Sequence, residues 1–213
     1  MNIDHIFIFS NTGGNEADQL VKLGFSEGSS RVHPGQGTTN RKFYCENFFL
    51  EVLWAHNPDE LHSPATSRSE LWKRAAFETN NFSRFGLCLV NETASDSLFE
   101  GSLKYEPAYF PGKNLEIITN DNAPHLPFTF RLPFVGTMSW PNEPMHHANG
   151  IRILTKATFE CPVVCSNGFT QAFPMGDQVS FVEGNRSWLH LTFDHAEQGM
   201  TAVIEQLQLT ISY

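Results

Sequence analysis

Two apolar runs near the N-terminus each carry a single polar side chain of the kind proteins use for chemistry, and the segment between them leaves few ways to fold. Asn2 to Ser10 alternates and is rich in Ile and Phe, which marks a β-strand with Ile3, His5, Phe7 and Phe9 on one face and Ile6 and Ile8 on the other. From Asn15 to Leu23 the apolar period lengthens, with Ala17, Leu20 and Val21 at helical spacing and Gly24 placed to end the helix. Phe25 to Val32, Thr38 to Cys45 and Phe48 to Ala55 then read as three strands, divided by the turn formers of His33 to Gly37 and by Glu46 and Asn47. The order is βαβββ. A right-handed crossover through the helix returns the fourth strand beside the first in parallel, at about 4.8 Å spacing. His5 and Glu51 can then meet on a face shared with Phe7, Phe9, Phe49 and Leu53, a polar pair in an aromatic wall, as expected of a small-molecule pocket.

The pattern partly repeats. Ser67 to Glu70 resembles a capping box ahead of Leu71, Trp72, Ala75 and Ala76, so a connecting helix is expected within 57–83. Arg84 to Val90 reads as a strand, Thr93 to Phe99 as a short helix stopped by Gly101, and Leu103 to Phe110, Lys113 to Thr119 and Pro127 to Leu132 as three more strands. Beyond residue 135 strands are expected at Ile151 to Phe159, Gln178 to Val182 and Trp188 to Phe193. The tail mixes a helical period over Thr201 to Leu207 with a β-like ending at Leu209 to Tyr213.

Composition narrows the function classes. A net charge of -9 without any Lys/Arg cluster lacks the footprint that neutralises phosphates, so nucleic acid is not an expected partner. No stretch approaches the roughly 18 apolar residues of a membrane span, and a soluble, cytoplasmic protein is expected. The 19 phenylalanines point to an aromatic interior. Of the four cysteines, Cys45 and Cys88 sit in strand-like runs, and Cys161 and Cys165 lack the two-residue spacing of a redox or zinc pair, so buried free thiols are expected.

Asp4-His5-Ile6 in the first strand, Leu50-Glu51-Val52 in the fourth and the doubled βαβββ order resemble the vicinal oxygen chelate superfamily, which includes glyoxalase I, extradiol dioxygenases and bleomycin-resistance proteins. Within it, His33, Gly37-Thr38-Thr39-Asn40 and Phe49-Leu50-Glu51 resemble the bacterial glyoxalase-like domain group, whose signature is a His, a Gly-Thr-x-Asn and an aromatic-Leu-Glu. The match is good over Asn2 to Ala55 and weak over Arg84 to Leu132. It implies an α+β fold in which paired βαβββ modules, 1–56 and 84–135, form a cupped mixed sheet, with a β-rich C-terminal extension, 136–213, completing the same compact domain.

The resemblance also implies a divalent metal (Zn, Ni, Mn or Fe) held by the first and fourth strands of each module. His5 and Glu51 match the first-module positions, with Glu51 also the candidate base. The second module departs from the pattern: Arg84 to Leu87 contains no His, Phe128 to Arg131 contains no carboxylate, and Glu116 falls on the third strand. His190, in a strand context like that of Glu51, is the candidate third ligand. His33, Thr38, Asn40, Phe7 and Phe49 are candidate substrate contacts, and His146 and His147 read as a solvated loop. Three functions follow: a metal-assisted lyase or isomerase chelating vicinal oxygens, a metal-free binding module of bleomycin-resistance type, and an iron(II) extradiol dioxygenase. The expected partner is a small molecule, with a homodimer as a candidate assembly.

Overall fold

The structure, a computed structural model, describes residues 1–108, 110–118, 123–137, 139–162 and 168–213. The first unit comprises β1 (Ile3–Phe9), α1 (Asp18–Lys22) entered through a 3-10 turn, β2 (Val32–His33), β3 (Thr38–Tyr44) and β4 (Phe49–Ala55). Gly24, at φ +99°, ends the helix. Its N–H reaches the Val21 carbonyl and that of Phe25 the Leu20 carbonyl, both at 3.0 Å, which closes the last turn as a glycine C-cap does. Three short helices follow, α2 (Pro58–Leu61), α3 (Pro64–Ser67) and α4 (Leu71–Ala75), in place of one connecting helix. The second unit comprises β5 (Phe85–Asn91), α5 (Thr93–Asp96), β6 (Leu103–Tyr105), β7 (Leu115–Ile118) and β8 (Phe128–Val135). Together they make one strongly curled, eight-stranded mixed sheet of order β2-β3-β4-β1-β5-β8-β7-β6. Each unit pairs its first and fourth strands in parallel, and the units join where β1 and β5 run antiparallel.

Several local expectations are corrected. Phe25 to Arg31 is not a strand, because its backbone takes other partners: Gly28 donates to the Lys42 carbonyl, Ser29 to Glu143 and Arg31 to the Asn40 side chain. The capping box at Ser67 to Glu70 does not form. Ser67 instead ends α3 with its hydroxyl on the Pro64 carbonyl, and α4 starts from Glu70 in the left-handed region at φ 54°. The strand expected from Leu103 stops at Tyr105, and Thr119 lies outside the described residues. In β1, a register shift between Ile3 and His5 turns Ile3 to the back of the sheet and lets Asp4 reach the front beside His5.

The remainder builds a second sheet from β9 (Leu154–Cys161), β10 (Val179–Glu183), β11 (Trp188–Phe193), β12 (Thr201–Ile204) and β13 (Leu209–Ser212), ordered β10-β9-β11-β13-β12, with one short helix, α6 (Gly168–Gln171). The helical period over Thr201 to Leu207 resolves into β12 and a single 3-10 turn, Glu205–Leu207, of a hairpin with β13. This sheet packs on the convex back of the first. Ile6, Ile8, Leu50, Val52, Leu87 and Leu89 share one buried cluster with Phe159, Leu189, Leu191, Phe193, Leu209 and Ile211. A separate aromatic cluster, with Phe7, Phe9, Leu53, Phe128 and Phe130, lines the concave front. Cys45 and Cys88 are buried free thiols, Cys161 is also buried, and Cys165 lies outside the described residues. No helix of the described residues is long and apolar enough to cross a membrane.

The segment joining the sheets corrects one more expectation. His147 is buried rather than solvated, whereas His146 is exposed. The Nδ1 atom of His147 accepts the Ser26 N–H at 3.0 Å, and its Nε2 lies 3.6 Å from the Cys45 sulfur. Burial holds its pKa below the usual histidine value. The unfolded chain therefore takes up a proton on this residue more readily than the native protein, so stability is lost as pH falls below about 6.5 toward the depressed native pKa. Urea unfolding of His147→Gln, which keeps an acceptor without the titration, is expected to show a shallower loss of stability from pH 7 to 5 than the parent protein.

Gly35 and Gly37 both have positive φ, +77° and +76°, but their surroundings differ. A Cβ on Gly37 would meet the Asn57 carbonyl oxygen at 2.4 Å and the Leu61 nitrogen at 2.5 Å, whereas one on Gly35 meets only the Ala108 methyl at 3.0 Å. Gly37→Ala is expected to destabilise by roughly 2 to 4 kcal/mol, combining backbone strain with overpacking, and Gly35→Ala by about 1 kcal/mol from strain. Equal losses in denaturant midpoints would contradict this placement.

Candidate small-molecule site

The curled sheet encloses a cavity of about 360 Å³ on its concave side. The parallel β1–β4 ladder builds its floor, pairing His5 with Phe49 and Phe7 with Glu51, so that these side chains all project forward. The His5 ring stacks on Phe49 at 4.4 Å between centroids and meets the edge of Phe130 at 5.4 Å. Asp4 Oδ1 lies 2.5 Å from His5 Nδ1. A carboxylate accepts only, so Nδ1 carries the hydrogen and Nε2 is left to face Glu51, whose Oε2 is 4.0 Å away.

Glu51 is held from its other side. The Arg31 backbone N–H donates to Asn40 Oδ1 at 2.7 Å, which fixes the amide orientation and directs Nδ2 to Glu51 Oε1. On the same face of β3, two residues beyond Asn40, Lys42 stands directly across the ladder from Glu51. Its ammonium lies over the rings of Tyr44 and Phe49, at 5.2 and 5.9 Å. Arg31 lies at the rim, its guanidinium over Phe110 at 5.8 Å. His33 also lines the cavity, with Nδ1 2.9 Å from the Thr38 hydroxyl. Burial depresses the His33 pKa, partly opposed by the Glu51 charge and reinforced by Arg31, Lys42 and His5. The opposite wall comes from the second unit and is largely apolar, formed by Leu115, Ile117, Phe128, Phe130 and Leu132 together with Tyr105.

The expected site residues therefore converge, with two exceptions. Thr38 is fully buried behind the cavity and serves as the support of His33 and Gln36 rather than as a wall residue. His190 does not join His5 and Glu51. It lies on β11 of the second sheet, between buried Leu189 and Leu191, and so points to that sheet's outer face, where Nε2 sits 3.2 Å from Glu160. Asp4, Arg31, Lys42 and Trp140, whose ring meets the edge of Phe49 at 5.5 Å, also line the cavity and were not anticipated as site residues. Lys42 had a signal in the alternation Thr38, Asn40, Lys42, while Asp4 had none, because only the bulge brings it forward.

Among the described residues, Asp4, His5 and Cys88 form one group whose donor atoms all lie within 4.8 Å of one another. The donor set does not complete a catalytic metal site. The Asp4–His5 contact has hydrogen-bond length, which commits Nδ1 to Asp4, and Cys88 is fully buried behind the cavity and does not belong to its lining. That leaves His5 Nε2 and Glu51 Oε2, one ligand short of the usual three, in a cavity also lined by two cations.

The fold and cavity define a mixed α+β protein with a strongly curled sheet and an aromatic-walled cavity on its concave side. No protein-family model matches the sequence, and no curated protein matches it. Among solved structures it is similar to a hypothetical protein from Staphylococcus aureus, with a TM-score of 0.55 over 99% of this chain and 98% of that one at 10% identity, a likeness in fold alone.

Removing the Glu51 donor is expected to be costly. Asn40→Ala should lower unfolding free energy by roughly 1 to 3 kcal/mol, because a buried carboxylate oxygen loses its partner, and Asn40→Asp should cost more by setting two carboxylates together. Urea melts at pH 7 check the order, and an Asn40→Asp protein as stable as the parent would remove Glu51 from the buried network.

Proposed function

We propose that this is a glyoxalase-like protein of the vicinal oxygen chelate type that acts on a small organic molecule, with Glu51 as general base. What carries the reading is the Glu51 carboxylate at the floor of the cavity, one oxygen fixed by Asn40 and the other facing His5 Nε2 at 4.0 Å. A base so placed can take a proton from a carbon or hydroxyl of a bound molecule, and His5, oriented by Asp4, can pass a proton to or from an adjacent oxygen. The aromatic walls lower the local polarity around that transfer. The doubled βαβββ order and the matching positions of His5 and Glu51 support the family reading, and the buried free thiols of Cys45 and Cys88 fit a cytoplasmic setting.

A metal-assisted version of this lyase or isomerase chemistry has one observation in its favour. A histidine whose Nδ1–H is held by a carboxylate, leaving Nε2 toward a second carboxylate, is an arrangement found around bound metals. Elemental analysis of protein purified without chelators separates the two versions, with substoichiometric metal expected. Near-stoichiometric divalent metal that disappears in His5→Ala and Glu51→Ala would establish the metal-assisted one. For the base itself, metal-stripped protein in D2O with a panel of vicinal carbonyl and 2-hydroxy acid compounds should wash deuterium into the carbon beside the carbonyl or hydroxyl. Glu51→Gln should slow this by about 10²- to 10⁴-fold. Wash-in unchanged in Glu51→Gln, or absent throughout the panel, would count against the base.

A further inference from the structure

The cavity is divided by composition along the seam between the two units. The charged groups belong to the first unit, where His5, Glu51, Asn40 and Lys42 stand on neighbouring strands, and the second unit adds only the Tyr105 hydroxyl to a wall of apolar side chains. In the second unit the residue opposite His5 across the seam is Cys88, and the wall beyond it is Phe128 and Phe130. A ligand filling both halves has a polar head and an apolar body.

The head can be read in more detail. His5 Nε2 and Glu51 Oε2 are 4.0 Å apart, too far to bond to each other. An oxygen at about 2.8 Å from both atoms would subtend roughly 90° between them, a geometry open to a hydroxyl that gives its one hydrogen to the carboxylate and accepts from Nε2 when the ring carries both hydrogens. Beside this gap, Lys42 faces Glu51 across the ladder, yet its ammonium rests over two aromatic rings and makes no ion pair among the described residues. The cations Lys42 and Arg31 that line the cavity are matched in number by the carboxylates Asp4 and Glu51, but Asp4 is engaged by His5 and Glu51 by Asn40, which leaves the Lys42 ammonium as the charge positioned to meet a small anion.

Resting on the reading of the cup as a small-molecule site, we infer that its ligand is an organic acid with a hydroxyl next to the acid group and an aromatic or branched body. The acid group pairs with Lys42, the hydroxyl bridges His5 and Glu51, and the body lies against Phe128 and Phe130. This assignment uses the chain's own side chains and requires no metal.

Calorimetric titration of chelator-treated protein tests it with four probes: 3-phenyllactate, 3-phenylpropanoate without the hydroxyl, 3-phenylpropane-1,2-diol without the acid, and lactate without the ring. 3-Phenyllactate is expected to bind most tightly, with each deletion weakening binding at least fivefold. Lys42→Met should abolish the preference for the acid over the diol, while Lys42→Arg retains it. If any deletion costs less than fivefold, or if Lys42→Met keeps the acid preference, the assignment of the head is overturned while the cup remains a small-molecule site. If none of the probes binds, both readings fall.

Discussion

A carboxylate buried among phenylalanines must be given partners, and the front half of this molecule is organised by that requirement at Glu51. The parallel pairing of β1 with β4 places it on the same face as His5, and the antiparallel pairing of β4 with β3 brings up Asn40 and Lys42. Asn40 can serve Glu51 only because the chain before β3 leaves the strand conformation and offers the Arg31 N–H to the amide oxygen. A local irregularity, a side-chain rotamer and a buried charge are thus one connected arrangement. Removing any member would leave another polar group without a partner in low dielectric.

The second sheet explains how a thin curled sheet can carry such a site. Both faces of β1, β4 and β5 are covered, the front by aromatic side chains and the back by β9, β11 and β13. A strand buried on both faces has little freedom to shift register, because a one-residue slip would drive its polar residues into the rear core. The rear sheet makes no wall of the cavity. Its contribution is to hold the floor in place, and the aromatic ladder of Phe159, Phe169, Phe173 and Phe181 shows how much of the molecule's phenylalanine is spent there.

The residues that could be read from sequence are those whose surroundings are set by periodicity. His5, Phe7, Phe49 and Glu51 follow from alternation in two strands, and the crossover makes those strands neighbours. Asn40 follows from the same logic on β3, and Lys42 could have been taken with it. Asp4 could not, because a bulge overrides alternation. His190 shows the other limit: alternation tells inward from outward, but not which of two sheets a strand joins, and an outward histidine paired with Glu160 looks the same in sequence as an inward one. His147 reads as a loop residue because its partners, Ser26 and Cys45, lie more than a hundred positions away in the chain.

Gly86 pairs with Phe7 across the seam, and a Cβ there would fall 2.0 to 2.4 Å from atoms of the Phe7 ring. The ring lies flat over the backbone because nothing projects from residue 86. Any side chain at that position would lift the ring forward into the space a ligand would use. The depth of the cup is therefore governed by one missing methyl group at the join between its halves, at a residue that does not itself belong to the cavity lining.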